Sequence, residues 1–230
     1  MEVRSGIAGS EFERPSVAVS TGWRVTHKER LYRRTLKRWL DVCFVLMALP
    51  VVLPALLVLV AILRVGGHTP FFTQERVGKG GRTFRLWKLR TMVPDAEDRL
   101  RAFLEANESA RQEWTSYQKL ADDPRITAFG QFLRKSSLDE LPQLWNVLIG
   151  DMSLVGPRPM LLEQQELYPG SAYYALRPGL TGTWQISDRN LSTFAQRAEF
   201  DADYERRLSF GTDLRILVAT VGVVLRATGK

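Results

Sequence analysis

Val42 to Leu63 reads VCFVLMALPVVLPALLVLVAIL, 22 residues without a single charge, and what this run does decides the rest of the fold. As a straight α-helix it would extend about 33 Å, enough to cross a hydrocarbon core of roughly 30 Å. Its flanks oppose a plain crossing. Arg30, Arg33, Arg34, Lys37 and Arg38 precede it; Arg64, Arg76, Lys79, Arg82, Arg85, Lys88 and Arg90 follow. Basic residues stay on the cytoplasmic side of a membrane, and here both ends carry that mark. Pro50 and Pro54, near the middle, each remove a backbone donor and crowd the preceding turn. A helix that dips in and returns would satisfy both flanks. Charge and proline alone leave it about even with a proline-kinked single span.

The 230 residues suit one domain with appendages. A net charge of +7 and a pI near 9.8 point to anionic partners, whether nucleic acid, anionic lipid or phosphorylated substrate. The single cysteine, Cys43, lies within the apolar run, and His27 and His68 have no second histidine at ligand spacing. Disulfide frameworks, thiolate zinc sites and Ser-His-Asp chemistry are thereby disfavoured. Gly78-Lys79-Gly80-Gly81 lacks phosphate-loop spacing and reads as a turn. Residues 1–29 read as an N-terminal extension; Met1 to Phe12 have no apolar core suited to a signal peptide, and Gly9-Ser10-Glu11-Phe12 looks like a cloning scar. Residues 30–66 form the apolar segment with its basic flanks, and 67–230 the polar domain.

Within that domain, Pro70 to Arg90 reads as two short strands about the Gly78–Gly81 turn, with alternation in Thr83 to Lys88. Asp95 to Leu120 reads as one charged helix, Asp95 its cap and Glu97 with Arg101 an i,i+4 pair. A further helix is expected from about Glu140 to Ile149, closed by Gly150. Pro157-Arg158-Pro159 and Arg177-Pro178-Gly179 read as rigid loops. Asp213 to Lys230 is amphipathic and equally suited to the lipid interface or to a core.

The densest chemistry lies in Ser136-Ser137-Leu138-Asp139-Glu140-Leu141-Pro142-Gln143-Leu144-Trp145-Asn146. Ser137 and Glu140 fit a capping box worth about 1 kcal/mol and requiring no chemistry. Pro142 weakens that reading, because a cap at Ser137 puts the proline beyond the first turn. A start at Asp139 or Glu140 instead leaves both carboxylates at the positive end of a helix, close to Arg134 and Lys135. Attack on an anionic diphosphate needs cations to offset charge, and Mg²⁺ prefers one or two carboxylates plus phosphate oxygens.

With Gly150-Asp151-Met152-Ser153-Leu154-Val155-Gly156-Pro157-Arg158-Pro159, this stretch resembles the signature of the bacterial sugar transferase family, the monotopic phosphoglycosyl transferases. The likeness runs from Lys37 to about Leu217, through Phe72-Thr73-Gln74-Glu75-Arg76, Lys88-Leu89-Arg90-Thr91-Met92, Asp123-Pro124-Arg125, Arg177-Pro178-Gly179-Leu180-Thr181-Gly182 and Trp184-Gln185-Ile186-Ser187. It implies an α+β, helix-rich monotopic membrane fold with a re-entrant helix bent near Pro54, a small antiparallel β element and interfacial helices. Leu53 stands where the family has serine before that proline, Pro50 is extra, and Asp188 replaces the glycine before Arg189.

The same resemblance implies Asp139 as nucleophile and Glu140 as metal-binding or acid-base partner, with Mg²⁺ as cofactor. Lys88, Arg134, Arg158 and Arg189 would bind substrate phosphate, and Asp201 matches a further acidic position that could equally be a structural ion pair. The implied reaction moves a hexose 1-phosphate from a UDP-sugar to undecaprenyl phosphate and releases UMP. It would run on the cytoplasmic face of a bacterial inner membrane, and Lys88 to Met92 together with the charged helix beyond them resemble the subgroup using glucose or galactose. A homodimer stays open. Two rivals come from other classes: a membrane-anchored nucleic-acid-binding module, for which no recognition motif exists, and a non-catalytic scaffold, which the intact Asp139-Glu140 pair opposes.

Overall fold

The computed structural model describes residues 31–67, 69–117, 120–187 and 193–225. The N-terminal extension with its cloning-scar motif, and the Asp188-Arg189 pair, lie outside the described residues. A π-type segment Tyr32–Leu36 leads into α1 (Lys37–Val65), which stays helical through Pro50 and Pro54. β1 (Phe71–Val77) and β2 (Thr83–Leu89) pair antiparallel, Phe71 opposite Leu89 and Val77 opposite Thr83. The remaining helices are α2 (Ala96–Ala106), α3 (Glu108–Tyr117), α4 (Ala128–Lys135), α5 (Gln143–Ile149), α6 (Ala172–Ala175), α7 (Thr183–Ile186), α8 (Arg197–Arg207) and α9 (Phe210–Leu225).

Several expectations require correction. The charged helix expected from Asp95 to Leu120 is two helices, broken at Asn107, whose backbone is extended at φ −130° and ψ 104°. Asp95 makes no capping bond; its carboxylate takes Arg99, and Arg101 faces Asp98 rather than Glu97. The stretch after Arg177-Pro178 is more than a loop. Gly179–Thr181 forms β4, which pairs in parallel with β3 (Ser153–Val155), a sheet too short to show any alternation.

The inward stripe of α1 touches the polar domain near both ends. Towards its start, Arg38 donates to the carbonyls of Val147 and Leu148, and Asp41 accepts from Ser153 Oγ at 2.7 Å and Leu154 N at 3.1 Å. Val45 packs with Phe84, Leu86, Leu144, Val147 and Met152. Towards its end, Leu59 and Leu63 pack with Leu89 and Leu133. Between these anchors the outward face is apolar and bare: Met47 is 67% exposed, Val51 75% and Leu57 61%. Burying that much apolar surface in lipid is favourable at about 25 cal/mol per Å², whereas patches of this size are rare on soluble monomers.

Helix α9 buries one face and leaves the other exposed. Ile216 is buried with Tyr32, Val155, Leu176, Tyr204 and Leu208, while Phe210, Leu214, Val218 and Val221 are exposed. Asp213 ties the helix to the chain's beginning by accepting from Tyr32, Lys37 and Tyr204.

Candidate active site

Local sequence explains why the dyad stands where it does. Thr127 caps α4, its hydroxyl accepting from Gly130 N at 2.9 Å. A Cβ on Gly130 would lie 2.0 Å from the Thr91 carbonyl oxygen, so glycine alone lets α4 press against the segment following β2. That approach carries Arg134 to Thr91, where Nε donates to Oγ1 at 2.9 Å and fixes the guanidinium. The chain then turns at Ser137, in the left-handed region at φ 57° and ψ 17°, a conformation costing an ordinary residue about 1–2 kcal/mol. Ser137 makes no side-chain cap, so the capping box is not formed. A 3₁₀ turn, Leu138–Glu140, follows, and α5 begins only after Pro142. The amides of Leu144 and Trp145 are taken by the carbonyls of Leu141 and Pro142. The positive charge beside the dyad therefore comes from side chains rather than from open helix amides.

Those side chains arrive from other elements. Lys88, on β2, places Nζ 2.8 Å from Glu140 Oε1 and 3.4 Å from Asp139 Oδ2. Fully buried Asn146 of α5 clamps this strand, accepting from Trp87 N at 3.1 Å and donating to Arg85 O at 2.7 Å. Arg158 Nη1 lies 3.9 Å from Glu140 Oε1. Asp139 is only 5% exposed, and burial pushes its pKa up from the ordinary carboxylate value. Lys88 opposes that shift, adjacent Glu140 adds to it and Arg134 opposes it.

One apolar cluster indexes all of these groups. Leu89, Leu133, Leu138 and Leu141 each neighbour a site residue in sequence (Lys88, Arg134, Asp139 and Glu140), and all four belong to or pack against the one cluster that includes Leu59 and Leu63 of α1. Helix α1 thus forms the floor on which the site is assembled.

Lys88, Arg134 and Arg158 gather at the dyad as the sequence suggested. Asp201 is buried and accepts from Tyr168 Oη at 2.9 Å; burial raises its pKa to about 7 against the opposing effects of Tyr168 and Arg197. Among the described residues no group of three or more His, Cys, Asp or Glu could hold a metal ion. The donor set is two adjacent carboxylates, which suits Mg²⁺ shared with substrate phosphates and not a metal caged by protein alone. Sequence reasoning missed Arg76 and Arg197. For Arg76 a signal existed, since period-two alternation puts it on the half-buried face of β1 with Gln74, and its Nη2 donates to Gln74 Oε1 at 2.7 Å.

Residues 32–227 match the family model described as Bacterial sugar transferase, and the chain belongs to that family. Among its relatives, the UDP-galactose-lipid carrier transferase of Erwinia amylovora is 44% identical over 198 residues, covering 85% of this chain and 42% of that protein. The undecaprenyl-phosphate galactose phosphotransferase of Salmonella typhimurium is 42% identical, over 85% of this chain and 42% of that protein. The exopolysaccharide production protein ExoY of Sinorhizobium fredii is 42% identical, over 84% of this chain and 87% of that protein. The chain therefore spans under half the length of the first two relatives and most of the third.

Proposed function

We propose that this protein transfers a hexose 1-phosphate from a UDP-sugar to undecaprenyl phosphate and releases UMP, as the first membrane step of building a polysaccharide or glycoconjugate. The observation that carries this reading is the dyad: buried Asp139 beside Glu140, both under Lys88, with Arg158 at Glu140. An Asp139 oxygen attacks the sugar-bearing phosphorus, the bond from that phosphorus to the bridging oxygen breaks, and UMP departs with the electron pair. An oxygen of the lipid phosphate then attacks the same phosphorus and frees the Asp139 carboxylate. An acyl phosphate is reactive enough to divide one hard step into two easier ones.

Lys88 and Arg134 hold the nucleophile's charge and, with Arg158, offset charge on the phosphates. Glu140, with substrate phosphate oxygens, would hold Mg²⁺, which when bound supplies further neutralisation of the diphosphate. Galactose or glucose as the sugar is favoured by the names of the relatives from Erwinia, Salmonella and Xanthomonas campestris.

The same reading puts the chain on the cytoplasmic face of the bacterial inner membrane, with α1 re-entrant. Both basic flanks support this, and so does the packing of both ends of α1 on one polar domain. The exposed apolar residues of α1 and α9 would be immersed in lipid, bringing the dyad to the depth of a lipid phosphate. Release of UMP from a panel of UDP-sugars, with polyprenyl phosphate supplied in vesicles, tests the reading. No UMP from any of them would refute it.

A further inference from the structure

Three guanidinium groups from separate elements converge just beyond Glu140: Arg76 from β1, Arg158 from the Pro157–Pro159 loop and Arg197 from the first turn of α8. Two of them share the ring of Trp184. The Arg197 guanidinium carbon lies 4.1 Å from the indole centroid and that of Arg158 lies 5.8 Å from it. Arg76 reaches the same place because β1 ends against the loop, Val77 N donating to Met160 O at 3.1 Å. Like charges so gathered repel one another, and partial burial sharpens the repulsion. Both Arg76 and Arg197 accordingly have their pKa values lowered, by burial and then by Arg158. The carboxylates facing them offset only part of this charge: Glu140 lies 3.9 Å from Arg158 and acts on Arg76, and Asp201 acts on Arg197, but each also serves another partner. Glu140 is bonded to Lys88, Asp201 accepts from Tyr168, and Glu163 acts on Arg76 only as a weaker influence. The Nε groups of Arg76 and Arg197 are buried without a hydrogen-bond partner among the described residues. Buried donors are nearly always satisfied in folded proteins, and a guanidinium fork matches phosphate oxygens.

We propose that Arg76, Arg158 and Arg197 form a second phosphate subsite, which takes the nucleotide-side phosphate of the diphosphate donor and retains the nucleoside monophosphate after the bond breaks. Arg158 joins the two subsites, since it touches Glu140 on one side and Trp184 on the other. The inference rests on the proposed function for its ligand and adds residues that reading does not use. A lipid phosphate is the other source of the same chemistry, and the packing disfavours it. Beside Arg76 and Arg197, the core cluster of Val77, Met160, Tyr168, Tyr173 and Phe194 contains no residue of α1 or α9. A polyprenyl phosphate would have to leave the apolar face to reach it.

The test is equilibrium binding of UMP and of uridine to the full chain in lipid nanodiscs, with inorganic phosphate as competitor. Wild type should bind UMP at least tenfold more tightly than uridine, and phosphate should displace UMP but not uridine. Arg76→Gln and Arg197→Gln should each weaken UMP binding about tenfold or more while leaving uridine unchanged, because a hydrogen bond to a charged group is lost. Arg197→Lys, which keeps the charge and loses the fork, should fall between. The kcat/KM for polyprenyl phosphate, which reports only the second half-reaction, should stay at its wild-type value in all three. Equal affinity for UMP and uridine in wild type would overturn the subsite, whether or not the variants fold. So would variants that lower the kcat/KM for the lipid and spare UMP binding. Wild type that releases no UMP from any UDP-sugar would instead strike the proposed function itself.

Discussion

Leu133→Ala probes the link between the apolar helix α1 and the dyad. Leu133 is fully buried between Leu59 and Leu63 of α1 and the Leu138 and Leu141 pair that brackets the dyad. Truncating a fully buried leucine costs about 2.7–5 kcal/mol, from lost transfer energy and the cavity left behind. That is a large part of a typical stability of roughly 5–15 kcal/mol. A purely structural leucine would show only this loss. Here the cavity opens next to Arg134 in sequence and within the cluster that Leu138 and Leu141, on either side of the dyad, pack against, and a displacement of about 1 Å near reacting groups can cost 10²-fold in rate. The expected result is a lower unfolding midpoint together with kcat per folded molecule reduced at least tenfold. Ile216→Ala supplies the control: it is equally buried, but in the cluster of Tyr32, Val155, Tyr204 and Leu208, so it should lose comparable stability and keep its kcat. If both variants lose stability alike and both retain full kcat, the leucine cluster does not set the dyad.

The pH dependence follows from the raised pKa of Asp139. If Asp139 is the nucleophile its ionised form is required, so kcat/KM should rise with pH through an acid limb, and Lys88→Met, which removes the opposing cation, should move that limb to higher pH; a uniform fall without movement would make Lys88 a substrate contact only. Glu140→Gln should lose most turnover while folding normally, and EDTA should silence wild type; full activity in either case removes Glu140 from metal binding. For topology, cysteines introduced at position 20 and after Arg64 should both resist a membrane-impermeant reagent applied from the periplasm, and labelling at position 20 would restore a single span.

Much of this arrangement is legible in the sequence because the informative patterns are local. Alternation from Thr83 to Lys88 predicts β2, and Gly150 closes α5 in the left-handed conformation, at φ 95°. Paired carboxylates following a basic run predict where charge would be managed. The break at Asn107 is not legible, since neither Gly nor Pro marks it and helical periodicity continues on both sides. β3 and β4 pair across more than twenty residues, and three-residue strands carry no pattern of their own. Ser137 illustrates a different limit. Ser137 and Glu140 have the spacing of a capping box and Pro142 opposes it; the left-handed turn the chain makes instead, with Asp139 3.4 Å from Lys88, has no local signal. Arg76 and Arg197 stand over a hundred positions apart, and only the fold reveals that they share the company of Arg158.

Exchange of labelled UMP into UDP-sugar by lipid-free protein decides whether Asp139 carries the sugar phosphate covalently, as proposed. If the nucleophile is on the protein, UMP leaves before any lipid phosphate arrives and can return by the same path. Protein stripped of polyprenyl phosphate should therefore exchange label, and Asp139→Asn should abolish that exchange. A preparation that transfers sugar phosphate to lipid with the correct sugar, yet shows no exchange without lipid, would contradict the covalent role of Asp139.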